Sequence, residues 1–192
     1  SILVTGPNAN SMRTLNGAWT YSWQGDLADE FTSNYNTIYE AVSNSFGTSN
    51  VKFIPGVAYK NGGNYYEMNE INIKKAVDEG RKSDVIILCI GENSYTEKPG
   101  DLNDLNIHKI QLKLALELSK TGKPIVLIIN SGRPRLITDF EPFMSAIINI
   151  YLPGNHGGDA LADILSGKIN PSGKLPYTCL LYTSPSPRDL RL

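Results

Sequence analysis

Two uninterrupted apolar runs constrain the fold of this 192-residue chain more than any other feature. They occupy residues 84–90 and 124–130, and both are rich in Ile and Val. A strand with one face in water alternates apolar and polar residues, whereas an unbroken run is typical of a strand buried on both faces of a parallel sheet. Shorter apolar runs predict three further strands, at residues 1–5, 51–54 and 146–152.

Helical patterns separate these strands. Apolar side chains recur every three or four positions over residues 26–46, 67–81 and 104–120, and a short helix is expected at 160–165. Alternating strands and helices at this spacing imply right-handed crossover connections. The sequence therefore predicts an α/β protein with a doubly wound, mostly parallel sheet and helices on both faces, an α/β sandwich.

Composition excludes several kinds of function. The chain has 18 Lys and Arg against 19 Asp and Glu, a formal net charge of −1, and no basic run. We therefore expect neither nucleic acid nor an acidic membrane as a partner. No apolar stretch approaches the roughly 20 residues that a membrane-spanning helix needs. Cys89 and Cys179 form no CxxC pair, and neither a dinucleotide fingerprint nor a P-loop occurs, so we expect no metal and no cofactor.

Polar, Gly-rich segments follow four of the five predicted strands. They lie at residues 6–10, 91–101, 130–134 and 153–158. In doubly wound sheets, ligands bind in the crevice beyond the carboxyl ends of the strands. This edge of the sheet is therefore the predicted location of a functional site.

Two segments favour a sugar site at that edge. Residues 92–101 carry Glu92 and Glu97, and residues 16–26 carry Trp19 and Trp23. A carboxyl group can protonate a glycosidic oxygen, and aromatic rings pack against sugar rings.

Each of these residues also has a structural interpretation. Glu92 could accept hydrogen bonds from nearby backbone N–H groups, and Glu97 could simply be solvated. The two tryptophans could cap the core. Arg133 could pair with a loop carboxylate as readily as with a ligand.

Motifs along residues 1–178 together resemble one known family. They are ILVTGPNA at 2–9, NGAWT at 16–20, WQG at 23–25, GENSYTE at 91–97 with GD at 100–101, GKP at 122–124, SGRP at 131–134, LPG at 152–154 and SGKLP at 172–176. In this order they resemble the second, α/β domain of glycoside hydrolase family 3, which follows a catalytic TIM barrel in the bacterial β-glucosidases.

The resemblance implies retaining hydrolysis of terminal β-D-glucosyl residues of oligosaccharides, with two carboxyl groups as catalysts. By the matching motifs, the resemblance implies that Glu97 is the general acid/base and that Trp19 belongs to the clamp that stacks on the sugar. Arg133, from its place between Gly132 and Pro134, is a candidate substrate contact. The nucleophile, an Asp, would lie on the TIM barrel. The resemblance also implies a periplasmic or secreted location.

Some alternatives stay open from the sequence. Trp19 and Trp23, on the same loop at this edge, would also suit a non-catalytic carbohydrate-binding module. The preferred linkage, and glucose against xylose, cannot be read from these residues.

The composition of the chain changes near its end. Residues 179–192 hold two of the six arginines, no lysine and the breaker-rich sequence Ser-Pro-Ser-Pro. We therefore expect a domain over residues 1–178 and a non-native tail over 179–192, with a natural linker as the alternative. A chain that opens within an apolar strand also suggests that a preceding segment, the barrel, is missing.

Overall fold

The computed structural model describes residues 1–176, so the predicted tail at 179–192 lies outside the described residues. The described strands, in chain order, are β1 (Ile2–Thr5), β2 (Val51–Phe53), β3 (Val57–Tyr59), β4 (Met68–Glu70), β5 (Val85–Gly91), β6 (Ile125–Asn130) and β7 (Ala146–Asn149). Five of them form one parallel sheet in the order β2-β1-β5-β6-β7, and β3 and β4 form a separate antiparallel hairpin. The five predicted strands are thus confirmed.

The apolar runs are buried on both sides of the sheet. In β5, Leu88 and Ile90 enter one hydrophobic core, while Ile87 and Cys89 enter the other. All four side chains are at most 3% exposed. Burial also raises the pKa of the Cys89 thiol, which is therefore an inert, protonated core residue.

Helices cover the two faces. The α-helices within the described residues are α1 (Met12–Asn16), α2 (Ala28–Phe31), α3 (Ile38–Phe46), α4 (Ile73–Gly80), α5 (Lys109–Ser119) and α6 (Gly157–Leu165). Side chains of α1, α3 and α6 share a core on one face, and those of α4 and α5 share the core on the other. The doubly wound α/β sandwich is thereby confirmed. Within residues 1–176, no helix is both long and apolar enough to cross a membrane.

The structure corrects three predicted helices. The pattern at 26–46 is divided into α2 and α3, because Thr37 and Glu40 form a capping box that starts α3 afresh. The pattern at 67–81 begins as strand β4, which pairs with β3, and turns helical only at Ile73. The helix predicted from residue 104 begins at Lys109, where the ring of His108 caps it.

The strand order places a topological switch point between β1 and β5. The chain winds from β1 to β2 on one side and from β5 to β7 on the other, so the loops after β1 and β5 leave in opposite directions. The crevice between these two loops is the place where the fold can receive a ligand. It coincides with the edge predicted from the Gly-rich segments.

Gly6 allows the β1 loop to approach β5 closely. Its φ is +100°, and a Cβ there would collide with the carbonyl oxygen of Cys89. Gly122 also has a positive φ, +69°, but faces open space.

We predict that Gly6→Ala lowers the free energy of unfolding by roughly 2–5 kcal/mol, from overpacking together with left-handed backbone strain. Gly122→Ala, the matched control, should cost only about 1–2 kcal/mol, from the strain alone. Urea unfolding of both variants measures the difference. Equal losses would show that the collision with β5 is not what makes Gly6 necessary.

Candidate functional site

Asn8 ties together the strand ends at the switch point. Its side-chain amide donates to the carbonyl oxygen of Glu92 at 3.1 Å and to the side-chain oxygen of Asn130 at 3.1 Å. Its own side-chain oxygen accepts from the hydroxyl of Tyr59 at 2.8 Å. Asn8 is fully buried, so these bonds hold the ends of β1, β5 and β6 and the hairpin in one arrangement.

The loop of residues 16–26, which carries the two tryptophans, contacts the loop of residues 92–101, which carries the two glutamates, and together they form one surface. Arg13 Nε donates to Ser94 Oγ at 2.6 Å, and the backbone N–H of Thr96 donates to the side chain of Gln24 at 3.0 Å. The indole N–H of Trp23 points at Glu97 Oε1, 3.4 Å away. Segments that are more than 70 residues apart in sequence thus meet at the predicted edge.

Glu97 presents its carboxylate at the surface. The residue is exposed, and its backbone has φ +54° and ψ −151°, a combination that costs a residue other than glycine about 1–3 kcal/mol. Strain of this kind persists only where the surroundings enforce it, and it concentrates at functional positions. The carboxylate is therefore accessible to a ligand, and the backbone that carries it has a defined, strained conformation.

The tryptophans do not cap the core. Trp19 is 70% exposed and Trp23 is 49% exposed. Trp19 also has a positive φ of +58°, and its backbone N–H donates to the carbonyl oxygen of Trp23 at 3.0 Å. Because a tight turn holds it, the Trp19 ring is presented to solvent beside the loop that carries Glu97.

Arg133 pairs with a loop carboxylate in this structure. Its Nε lies 3.0 Å from Glu92 Oε1, and its guanidinium carbon lies 4.0 Å from the centroid of the Tyr95 ring. Its side chain is 24% exposed, so a ligand contact stays a prediction. The structure favours the structural interpretation of Glu92. The hydrogen-bond donors to its carboxylate are mainly side chains, however, and not the backbone N–H groups that we expected.

Arg135 and Tyr95 also bond to Glu92, and the sequence patterns did not predict either contact. Arg135 Nη1 donates to Glu92 Oε1 at 3.0 Å, and the Tyr95 hydroxyl donates to Glu92 Oε2 at 3.1 Å. The spacing of Arg133 and Arg135 is the signal that could have found this pairing, because alternate residues of an extended segment face the same side.

Two half-buried tyrosines keep their hydroxyl groups as hydrogen-bond donors near Glu92. Burial, with the Glu92 carboxylate as the next cause, raises the pKa of both Tyr59 and Tyr95. Both hydroxyls therefore keep their protons at neutral pH and donate, Tyr59 to Asn8 and Tyr95 to Glu92.

A cavity of about 650 Å³ opens beside this cluster. Its walls include Tyr59, Tyr65, Glu92 and Arg135, but not Glu97 or Trp19. The candidate acid/base and the candidate stacking ring thus lie on an open surface outside the cavity.

Comparison with known proteins identifies the family. The family model described as "Glycosyl hydrolase family 3 C-terminal domain" matches residues 1–188. A lysosomal beta glucosidase from Dictyostelium discoideum is 37% identical over 182 residues, which cover 93% of this chain and 22% of that protein. A beta-xylosidase from Formosa agariphila is 28% identical over 191 residues, 99% of this chain and 24% of that protein.

A solved structure extends the likeness to the fold. The beta-glucosidase from Listeria innocua, crystallised in complex with isofagomine, superposes with a TM-score of 0.73 at 25% identity and covers 91% of this chain and 22% of that one. This chain thus spans less than a quarter of the length of these relatives. With the family match over almost its whole length and the same doubly wound sheet, the chain belongs to glycoside hydrolase family 3, as its C-terminal α/β domain.

Proposed function

We propose that this domain supplies the general acid/base, Glu97, of a retaining β-glucosidase that hydrolyses terminal β-D-glucosyl residues. Its other catalytic carboxyl group, the nucleophile, would lie on a preceding barrel domain. The observation that carries the proposal is the position of Glu97, exposed on a strained backbone beside Trp19 and Trp23 at the switch-point edge.

The chemistry assigns Glu97 two consecutive tasks. In the first step it donates its proton to the glycosidic oxygen, the bond from that oxygen to the anomeric carbon breaks, and the barrel carboxylate bonds to the anomeric carbon. In the second step the Glu97 carboxylate takes a proton from water, and the resulting hydroxide oxygen displaces the barrel carboxylate. The two carboxyl groups would lie about 5–5.5 Å apart, the separation of retaining enzymes.

The open surface supports the need for a second domain. Proton transfer and charge stabilisation work best where water is excluded, yet Glu97 and Trp19 are exposed in this chain. The relatives are also more than four times as long as the matched region. We therefore assign the chain one half of the active site and expect little turnover from it alone.

Trp19 and Arg133 complete the proposed sugar contacts. The Trp19 ring offers an apolar face to the C–H groups of a glucosyl ring. Arg133, anchored on Glu92, would donate from its remaining guanidinium N–H groups to sugar hydroxyls.

In the full-length protein that contains this chain, Glu97→Gln should lower kcat/KM on phenyl β-D-glucoside by about 10²–10⁴-fold, the usual contribution of general acid catalysis. The loss on 2,4-dinitrophenyl β-D-glucoside should be small, because that leaving group departs without a proton. Azide should restore turnover of the dinitrophenyl substrate by Glu97→Ala, since an anionic nucleophile needs no general base. Steady-state kinetics with the two substrates measure all three effects.

Glu117→Gln is the matched control, because Glu117 is a carboxylate on the surface of α5 that pairs with Lys120. It should leave both substrates unaffected. A loss of less than about tenfold on the phenyl substrate by Glu97→Gln would refute the assigned role.

Trp19→Ala in the same protein should raise KM for a β-glucoside by about tenfold, which corresponds to roughly 1.4 kcal/mol, within the range of an aromatic contact. Phe143→Ala removes an aromatic ring that is 54% exposed. Phe143 precedes β7 and so lies at the amino ends of the strands, opposite the proposed site. That control should leave KM unchanged. Equal effects of the two substitutions would remove Trp19 from the sugar site.

The exposure of Trp19 and Trp23 also favours a second candidate, a non-catalytic carbohydrate-binding module. Calorimetric titration of this chain with glucose or cellobiose separates the two. Half of an active site should bind neither sugar measurably at millimolar concentration. Millimolar or tighter binding that Trp19→Ala abolishes would favour the module.

A further inference from the structure

Glu92 is a buried charge for which the proposed mechanism has no direct use. It is 6% exposed and accepts hydrogen bonds from the side chains of Ser131 (2.6 Å), Arg133 (3.0 Å), Arg135 (3.0 Å) and Tyr95 (3.1 Å). A buried ion pair is weak evidence for stability, because desolvating the charges offsets much of their attraction. Four side-chain donors from two segments converge on the Glu92 carboxylate, which indicates that it holds these segments in place.

The contacts of Glu92 lead to the Tyr95 ring. The hydroxyl of Tyr95 is bonded to Glu92, and the Arg133 guanidinium, also bonded to Glu92, lies over the ring face. The Tyr65 ring packs against the same ring with centroids 4.7 Å apart, and its hydroxyl accepts from Arg133 at 3.3 Å. The plane and the position of the Tyr95 ring are thereby set from three sides.

The Tyr95 ring in turn supports the turn that carries Glu97. Gly100 lies so close to the ring that a Cβ would collide with it. The backbone N–H of Gly100 donates to the carbonyl oxygen of Glu97 at 2.8 Å, which closes the 3₁₀ turn 98–100. The strained backbone of Glu97 is thus held by a turn that rests on Tyr95.

We propose that Glu92 is a positioning residue, which holds the Glu97 carboxylate in its catalytic place through Tyr95 and Gly100. The inference rests on the proposed acid/base role of Glu97 and deepens it. Without the Glu92 charge, the two arginines lose the anion that pairs with both, one of the two oxygens that accept from the arginines, Ser131 and Tyr95 is lost, and the turn is free to shift. Displacement of a catalytic group by about 1 Å can cost about 10²-fold in rate.

The test is Glu92→Gln in the full-length protein, assayed on phenyl and on 2,4-dinitrophenyl β-D-glucoside. A misplaced acid should lower kcat/KM on the phenyl substrate at least about tenfold and on the dinitrophenyl substrate less than about threefold. A general loss of folded protein would lower both equally. Equal losses, or no loss, would overturn the proposal.

A control and a second variant keep the result decisive. Glu79→Gln removes a carboxylate that pairs with Lys52 and Lys82 before β5, at the opposite edge of the sheet, and should not change the ratio of the two substrates. If Glu92→Gln does not fold, Tyr95→Phe decides. It keeps the ring and deletes the hydroxyl, so a loss confined to the phenyl substrate supports the proposal and an unchanged ratio overturns it.

Glu97→Gln, assayed beside these variants, separates the two proposals. If it shows the leaving-group pattern and the Glu92 and Tyr95 variants do not, only the positioning role fails. If Glu97→Gln itself lacks the pattern, the acid/base role fails, and the positioning role falls with it.

Discussion

The parallel pairing of β1 with β5 is the constraint on which the rest of the structure depends. It creates the switch point, because the connections of these two strands leave in opposite directions and open a crevice between their carboxyl ends. Gly6 lets the β1 loop lie against β5, and the buried amide of Asn8 joins that loop to Glu92 and Asn130. Without this close approach, the loop of residues 92–101 would lose its hydrogen bond to the β1 loop, and residues 16–26 contact that same loop.

The buried carboxylate of Glu92 and its hydrogen-bond donors connect these strand ends to the exposed loop that carries Glu97. Glu92 lies directly after β5, and its four side-chain donors come from the segment after β6 and from Tyr95. Removing one partner from such a cluster leaves a charge without compensation, whereas exposed pairs such as Lys113 with Glu70 contribute only about 0–1 kcal/mol. Glu97 needs rigid surroundings, because it would not adopt its strained backbone conformation without them.

Much of the architecture could be predicted from local patterns. The continuous apolar runs at 84–90 and 124–130 predicted central parallel strands, because only burial on both faces suits so many consecutive Ile and Val residues. The errors arose where short-range periodicity competed with tertiary contacts. Residues 68–70 lie within a helical pattern but pair with β3. Leu27 and Phe31 have core-like spacing but are exposed.

The sequence by itself determined the alternation of strands and helices, the edge that carries the polar loops and, through its ordered motifs, the family and the candidates Glu97, Trp19 and Arg133. Only the tertiary structure decided what surrounds each of the two carboxylates, Glu92 and Glu97. Glu92 and Glu97 have the same side chain five positions apart, yet one is buried among two arginines and the other faces solvent beside Trp23. The physical reason is that burial and charge pairing depend on segments distant in sequence, which meet only when the sheet has formed.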